Sequence, residues 1–154
     1  MSKIVIFYNL TWVEKRLLLQ AVILLGYYRL ALLIVSLPRL LNVARRPQRT
    51  GSSQSQLTAA QLTRLVKAAV RLVPGTTCLS NTLASHGLFS SLGYRTKVHI
   101  GVNKDRERGF EAHAWLTLDG KIVIGNLPDL AKFRELPLLE TTHVNRQEIR
   151  TQWR

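Results

Sequence analysis

The spacing of apolar residues changes character several times along the chain. Residues 17–37, LLLQAVILLGYYRLALLIVSL, are almost continuously apolar. A span of about 20 such residues can cross a bilayer. Arg29 stands at its middle, where an arginine in a spanning helix costs about 2.5–3.5 kcal/mol. The longest uncharged run, residues 17–28, is only twelve residues. Lys15, Arg29 and Ser36 fall almost on one line of a helix and give it a thin polar stripe. Three placements fit: apolar helices packed by partners on most sides, a helix lying on a membrane surface, or a true span. The packed arrangement is preferred.

Residues 44–56, ARRPQRTGSSQSQ, lack apolar periodicity and read as a linker. Thr58 followed three residues later by Gln61 is a capping box. Leu62, Leu65, Val66, Ala69, Val70 and Val73 then repeat at helical spacing until Pro74-Gly75. Thr76 and Thr77 can cap a second helix, with Leu79, Leu83, Leu88, Phe89 and Leu92 on its apolar face and Gly93 at its end. Cys78 falls in its first turn. From Tyr94 the period becomes two: Tyr94, Thr96, Val98, Ile100 and Val102 alternate with Arg95, Lys97, His99 and Gly101. After the polar loop NKDRERG, Phe110, Ala112, Ala114, Leu116 and Leu118 alternate again. Asp119-Gly120 is a favoured two-residue hairpin turn leading into a third strand, KIVIG. The pattern predicts an α+β fold, with N-terminal apolar helices and then helices packed on a short antiparallel sheet. It divides the chain into a helical appendage (1–50), a domain (57–140) and a charged tail (141–154).

Charge refines this division. The 154 residues carry 22 Lys and Arg against 9 Asp and Glu, a formal charge of +13. Residues 1–50 hold eight basic and one acidic side chain, residues 51–109 eight and two, and residues 110–154 six and six. The excess lies in the front two-thirds, interrupted by an apolar helical region and without a nucleic-acid motif, so nucleic acid is not expected as a partner. Lys15 and Arg16 precede the apolar run, and the basic cluster Arg45, Arg46 and Arg49 follows it, with no small-residue cleavage pattern. A secretory signal is therefore not expected. The expected location is cytoplasmic, with residues 1–50 available to a membrane surface.

The single cysteine excludes an internal disulfide and a multi-cysteine zinc site. It leaves either an inert packed thiol or a nucleophile. First-turn amides and the helix dipole favour negative charge where Cys78 sits, which suits a thiolate. Among the histidines, His86 lies too far along the same helix at about 1.5 Å per residue, and His143 lies in the tail. His99 and His113 are both on strands, each opposite its strand's larger apolar set. His113 is preferred because its hairpin supplies a third group. With Asp119-Gly120 as the turn, strict pairing sets Leu116 against Val123, Trp115 against Ile124, Ala114 against Gly125 and His113 against Asn126. Asn126 could then orient the imidazole, with Asp119, probing solvent at the turn, as the second candidate. Such a set resembles the cysteine, histidine and asparagine of thiol proteases.

The segments PGTTCLSNTLASHGLFSSLGYRTKVHIGV and GFEAHAWLTLDGKIVIGN resemble the transglutaminase-like cysteine peptidase domain of lasso-peptide maturation proteins. The resemblance covers roughly residues 57–140. It implies a small transglutaminase/papain-like domain, Cys78 as nucleophile and His113 as general base, with no metal or cofactor. It also implies removal of the leader peptide from a ribosomally made precursor, alongside a separate leader-recognition protein and an asparagine-synthetase-like cyclase. Residues 1–50 lack the alternating strands of a fused recognition domain. Family members with a full triad carry an aspartate near the positions of Gly125 and Asn126. Here Asn126, Asp119 or no third side chain completes the set. A catalytically silent peptide-binding module is the alternative.

Overall fold

Each of the three long helices begins where the chain can cap it. The computed structural model describes residues 10–36, 39–40, 57–105 and 109–136, so the linker at 44–56 and the tail at 141–154 lie outside it. Helix α1 (Trp12–Ile34) starts at Thr11, whose hydroxyl accepts from the Glu14 amide while the Glu14 carboxylate accepts from the Thr11 amide at 2.8 Å. The Thr11 backbone amide, then its hydroxyl, holds the Glu14 carboxyl below its usual range. Helix α2 (Ala59–Leu72) starts at the expected Thr58 and Gln61 box. Helix α3 (Cys78–Ser91) starts at Thr77, which exchanges hydrogen bonds with Ser80.

Strands β1 (Thr96–Asp105), β2 (Gly109–Leu118), β3 (Lys121–Ile124) and β4 (Arg134–Glu135) form one antiparallel sheet in the order β3-β2-β1-β4. The α+β architecture is thus as the pattern predicts, with two differences. The hairpin between β1 and β2 runs on through much of the polar NKDRERG segment, pairing Asn103 with Glu111 and Lys104 with Phe110. Charge is tolerated there because this part of the ladder is open to water: Lys104, Gly109 and Phe110 are exposed. The two-residue β4, too short to register as an alternating pattern, adds an edge beside Gly101 and Val102.

Helix α3 lies between two layers, with α1 on one side and the sheet on the other. Leu17, Leu18, Ala21, Leu25 and Tyr28 of α1 join Leu62, Leu65, Val66 and Ala69 of α2 in one core. Leu83, Ala84, Leu88 and Phe89 of α3 bridge them to Val98, Ile100, Ala114, Leu116 and Ile124 of the sheet. The first helix therefore shares the core of the sheet domain. Three polar residues of α3 are also fully buried: Ser80, Thr82 and Ser85. Their hydroxyls donate to the carbonyls of Thr77, Cys78 and Asn81 at 3.0, 2.8 and 2.6 Å. Small side chains let the layers approach closely, and these bonds remove the cost of burying the hydroxyls.

Arg29, the charge that counts against a span, does not sit on the free face of α1. Its guanidinium occupies the space that a Cβ on residue 75 would need. Gly75, at φ +69°, makes the turn and leaves that space. The free face of α1 carries Leu19, Ile23, Tyr27, Leu30, Leu33 and Ile34, all exposed.

Leu25→Ala should cost about 2–5 kcal/mol of unfolding free energy in urea denaturation, whereas Leu30→Ala on the free face should change it by no more than about 0.5 kcal/mol. Burial, then the neighbouring Tyr27, raises the Tyr28 phenol above its ordinary 10.0. The unfolded chain therefore loses this proton first, so the Tyr28 contribution is intact below about pH 10 and declines as pH rises toward the folded value. Melting curves between about pH 9 and 11 should show a smaller decline for Tyr28→Phe than for the parent.

Candidate active site

Strand alternation decides which side chains meet. Ala114 and Leu116 of β2 enter the core, so His113, Trp115 and Thr117 project from the opposite face, as His99 does from β1. On that outer face Trp115 lies between two imidazoles. Its ring is parallel to His99 within 4° at 5.4 Å, and to His113 within 14° at 6.3 Å. Phe133, just before β4, closes on His113 at 5.7 Å. Gly101 pairs with His113 across the ladder, and a Cβ there would stand 2.9 Å from the Trp115 ring. Glycine is what leaves room for the stack.

His113 Nε2 lies 2.8 Å from the carbonyl oxygen of Gly125. A carbonyl only accepts, so Nε2 carries the proton, and in the neutral ring the lone pair is on Nδ1. His113 is thus held as a base facing away from β3. His99 is fixed at both ends: its Nδ1 meets Glu135 Oε1 at 2.6 Å and its Nε2 meets the Thr117 hydroxyl at 2.8 Å. His86 has a different duty, joining α3 to the start of β1 through the Thr96 hydroxyl at 2.7 Å.

Cys78 is the first residue of α3 and is a free, half-buried thiol. The cap at Thr77 engages the amides of Ser80 and Asn81, and helix geometry leaves the first-turn amides of Cys78 and Leu79 without intrahelical acceptors. Cys78 packs against the apolar core, while His113 projects from the outer face of β2. No hydrogen bond joins the two among the described residues. Three residues after Cys78, the side-chain oxygen of Asn81 is buried without a partner. Among the described residues no group of three or more His, Cys, Asp or Glu side chains could hold a metal ion.

The third group differs from the strict hairpin register. Leu118 pairs with Lys121 and Thr117 with Ile122, as the turn predicts, but Leu116 pairs with Ile124. Val123 is the extra residue of a β-bulge. The shift places Ile124 on the core side beside Leu116, burying both, where strict pairing would have turned Ile124 outward. The ladder ends at this pair, and just beyond it the Gly125 carbonyl, not the Asn126 side chain, meets His113. Asn126 is exposed. Asp119 sits at the hairpin tip with φ 49°, about 20 Å along the strand from His113 at about 3.3 Å per residue. A glycine interrupting a strand pattern is the available signal for this bulge. The contact from His99 to Glu135 has no such signal, because it depends on β4.

Gly125 has φ +79°, and a Cβ on it would lie 2.6 Å from the Ala114 carbonyl oxygen. Gly125→Ala should therefore destabilise the fold by about 1–3 kcal/mol. Nitrogen-15 spectra of the histidine rings should show His113 losing its Nε2–H form, while Asn126→Ala leaves both stability and the His113 signal unchanged.

Neither the curated proteins nor the solved structures contain a significant match to the chain. A family model does match: Transglut_core3, described as the transglutaminase-like superfamily, covers residues 23–137. That match runs from within α1 to just past β4, well over half of the chain, and includes Cys78, His113 and the bulge that carries Gly125. The chain belongs to the transglutaminase-like superfamily.

Proposed function

We propose that this protein is a cysteine peptidase that removes the leader peptide from a lasso-peptide precursor in the cytoplasm. It works with a separate leader-recognition protein and an asparagine-synthetase-like cyclase. The reading is supported by two residues within a transglutaminase-like domain: Cys78 opens the buried helix α3, and His113 is held with its Nε2–H on the Gly125 carbonyl. The resemblance of the Cys78 and HAW segments to lasso-peptide maturation proteins supplies the substrate class.

In the proposed reaction His113 Nδ1 accepts the Cys78 proton and the thiolate adds to the carbonyl at the junction of leader and core. The first-turn amides of Cys78 and Leu79 face the developing oxyanion. Collapse of the adduct breaks the C–N bond, and the imidazolium gives its proton to the leaving amine, the N-terminus of the core. Water, deprotonated by Nδ1, then hydrolyses the thioester, releasing the leader as a carboxylic acid and restoring the thiol. Cys78 stands on the core side and His113 on the outer face of β2, so the proposed reaction requires a rearrangement in the substrate complex that brings the thiol and Nδ1 together. The Gly125 carbonyl serves in place of a third side chain, so the working side chains are Cys78 and His113, with Asn126 and Asp119 outside the reaction.

Mass spectrometry of a precursor incubated with the protein and its recognition partner checks this. Cys78→Ala should give no cut product, and His113→Ala should slow cleavage by about 10²–10⁴-fold. Asn126→Ala and Asp119→Asn should stay within about threefold of the parent. Cleavage by Cys78→Ala at the parental rate rules the proposal out. Precursor binding by the parent without any cleavage rules it out in favour of a silent peptide-binding module.

A further inference from the structure

Helix α1 has two faces of equal apolarity but unequal fate. Leu18, Ala21, Leu25 and Tyr28 are buried, while Leu19, Ile23, Leu30 and Leu33 remain exposed at 61, 60, 61 and 77%. The exposed residues recur at helical spacing, and Gly26 lies in the same stretch with nothing within 4 Å of an added Cβ. From residue 17 to residue 34 the only charge in the helix is Arg29, and its guanidinium is drawn onto the Gly75 turn. Evenly apolar exposed surface of this extent marks an interaction site.

The charge around this face selects its occupant. Among the described residues of this region, Lys15, Arg16, Arg29 and Arg39 stand against the single acidic Glu14. Arg16 and Arg39, at either end of the apolar stretch, are exposed. A second copy would bring the same excess of positive charge to the interface, whereas an anionic bilayer supplies the opposite sign and an apolar layer beneath it. Trp12, also exposed, and Tyr27 have the amphipathic rings favoured at that boundary. We infer that the exposed face of α1 docks the protein on an anionic lipid surface, with α1 lying in the plane of the membrane and α2 and α3 above it. The helix does not span, because its other face is part of the protein core.

The test uses the full chain with sucrose-loaded vesicles, either phosphatidylcholine alone or phosphatidylcholine with about one-third phosphatidylglycerol, at about 0.1 M salt. The protein should sediment with the anionic vesicles, less with the neutral ones, and less again at about 0.5 M salt. The double variant Ile23→Glu, Leu30→Glu should weaken binding by about tenfold or more, with an unchanged melting curve because both positions are exposed. Absence of binding to either vesicle, or equal binding by a folded double variant, overturns the inference. So does a dimer in lipid-free solution that the double variant makes monomeric, since the face is then covered by a second copy. None of these readings involves cleavage, so the inference stands or falls apart from the peptidase assignment.

Discussion

The burial of α3 on both sides is the constraint from which the remaining architecture follows. A helix carrying Cys78 at its first position must be fixed in place, and a helix packed only on a four-stranded sheet would leave half its surface in water. Here α1 and α2 supply the opposing layer, and the helix is buried at eight of its fourteen positions. Its hydroxyls at Ser80, Thr82 and Ser85 are tied back to their own helix. The outer layer is consequently required by the domain, which agrees with a family match that begins inside α1.

The sheet performs a second task on its other face. Packing Ile124 beside Leu116 takes one extra residue in β3, and just past it the Gly125 carbonyl faces His113. The same face holds Trp115 between two histidines, with Gly101 giving the rings space and β4 bringing Glu135 to His99. A main-chain oxygen as the partner of His113 makes the tautomer a property of the fold.

The parts of this arrangement that depend on nearest neighbours were legible in the sequence. The caps at Thr58 and Thr77, the stop at Pro74-Gly75, the Asp119-Gly120 turn and the outward placement of His99 and His113 each rest on a few adjacent residues. Extending the hairpin register by simple counting failed after Thr117, because the energy that settles it comes from a distant core. The pairing of His99 with Glu135, 36 residues apart, likewise depends on tertiary closure. Apolarity alone also could not divide α1 into a packed face and a free one. Its neighbours made that division.

Arg29 links the two halves of the molecule mechanically. Its guanidinium rests on Gly75, three residues before Cys78, so the middle of α1 is braced against the turn that launches α3.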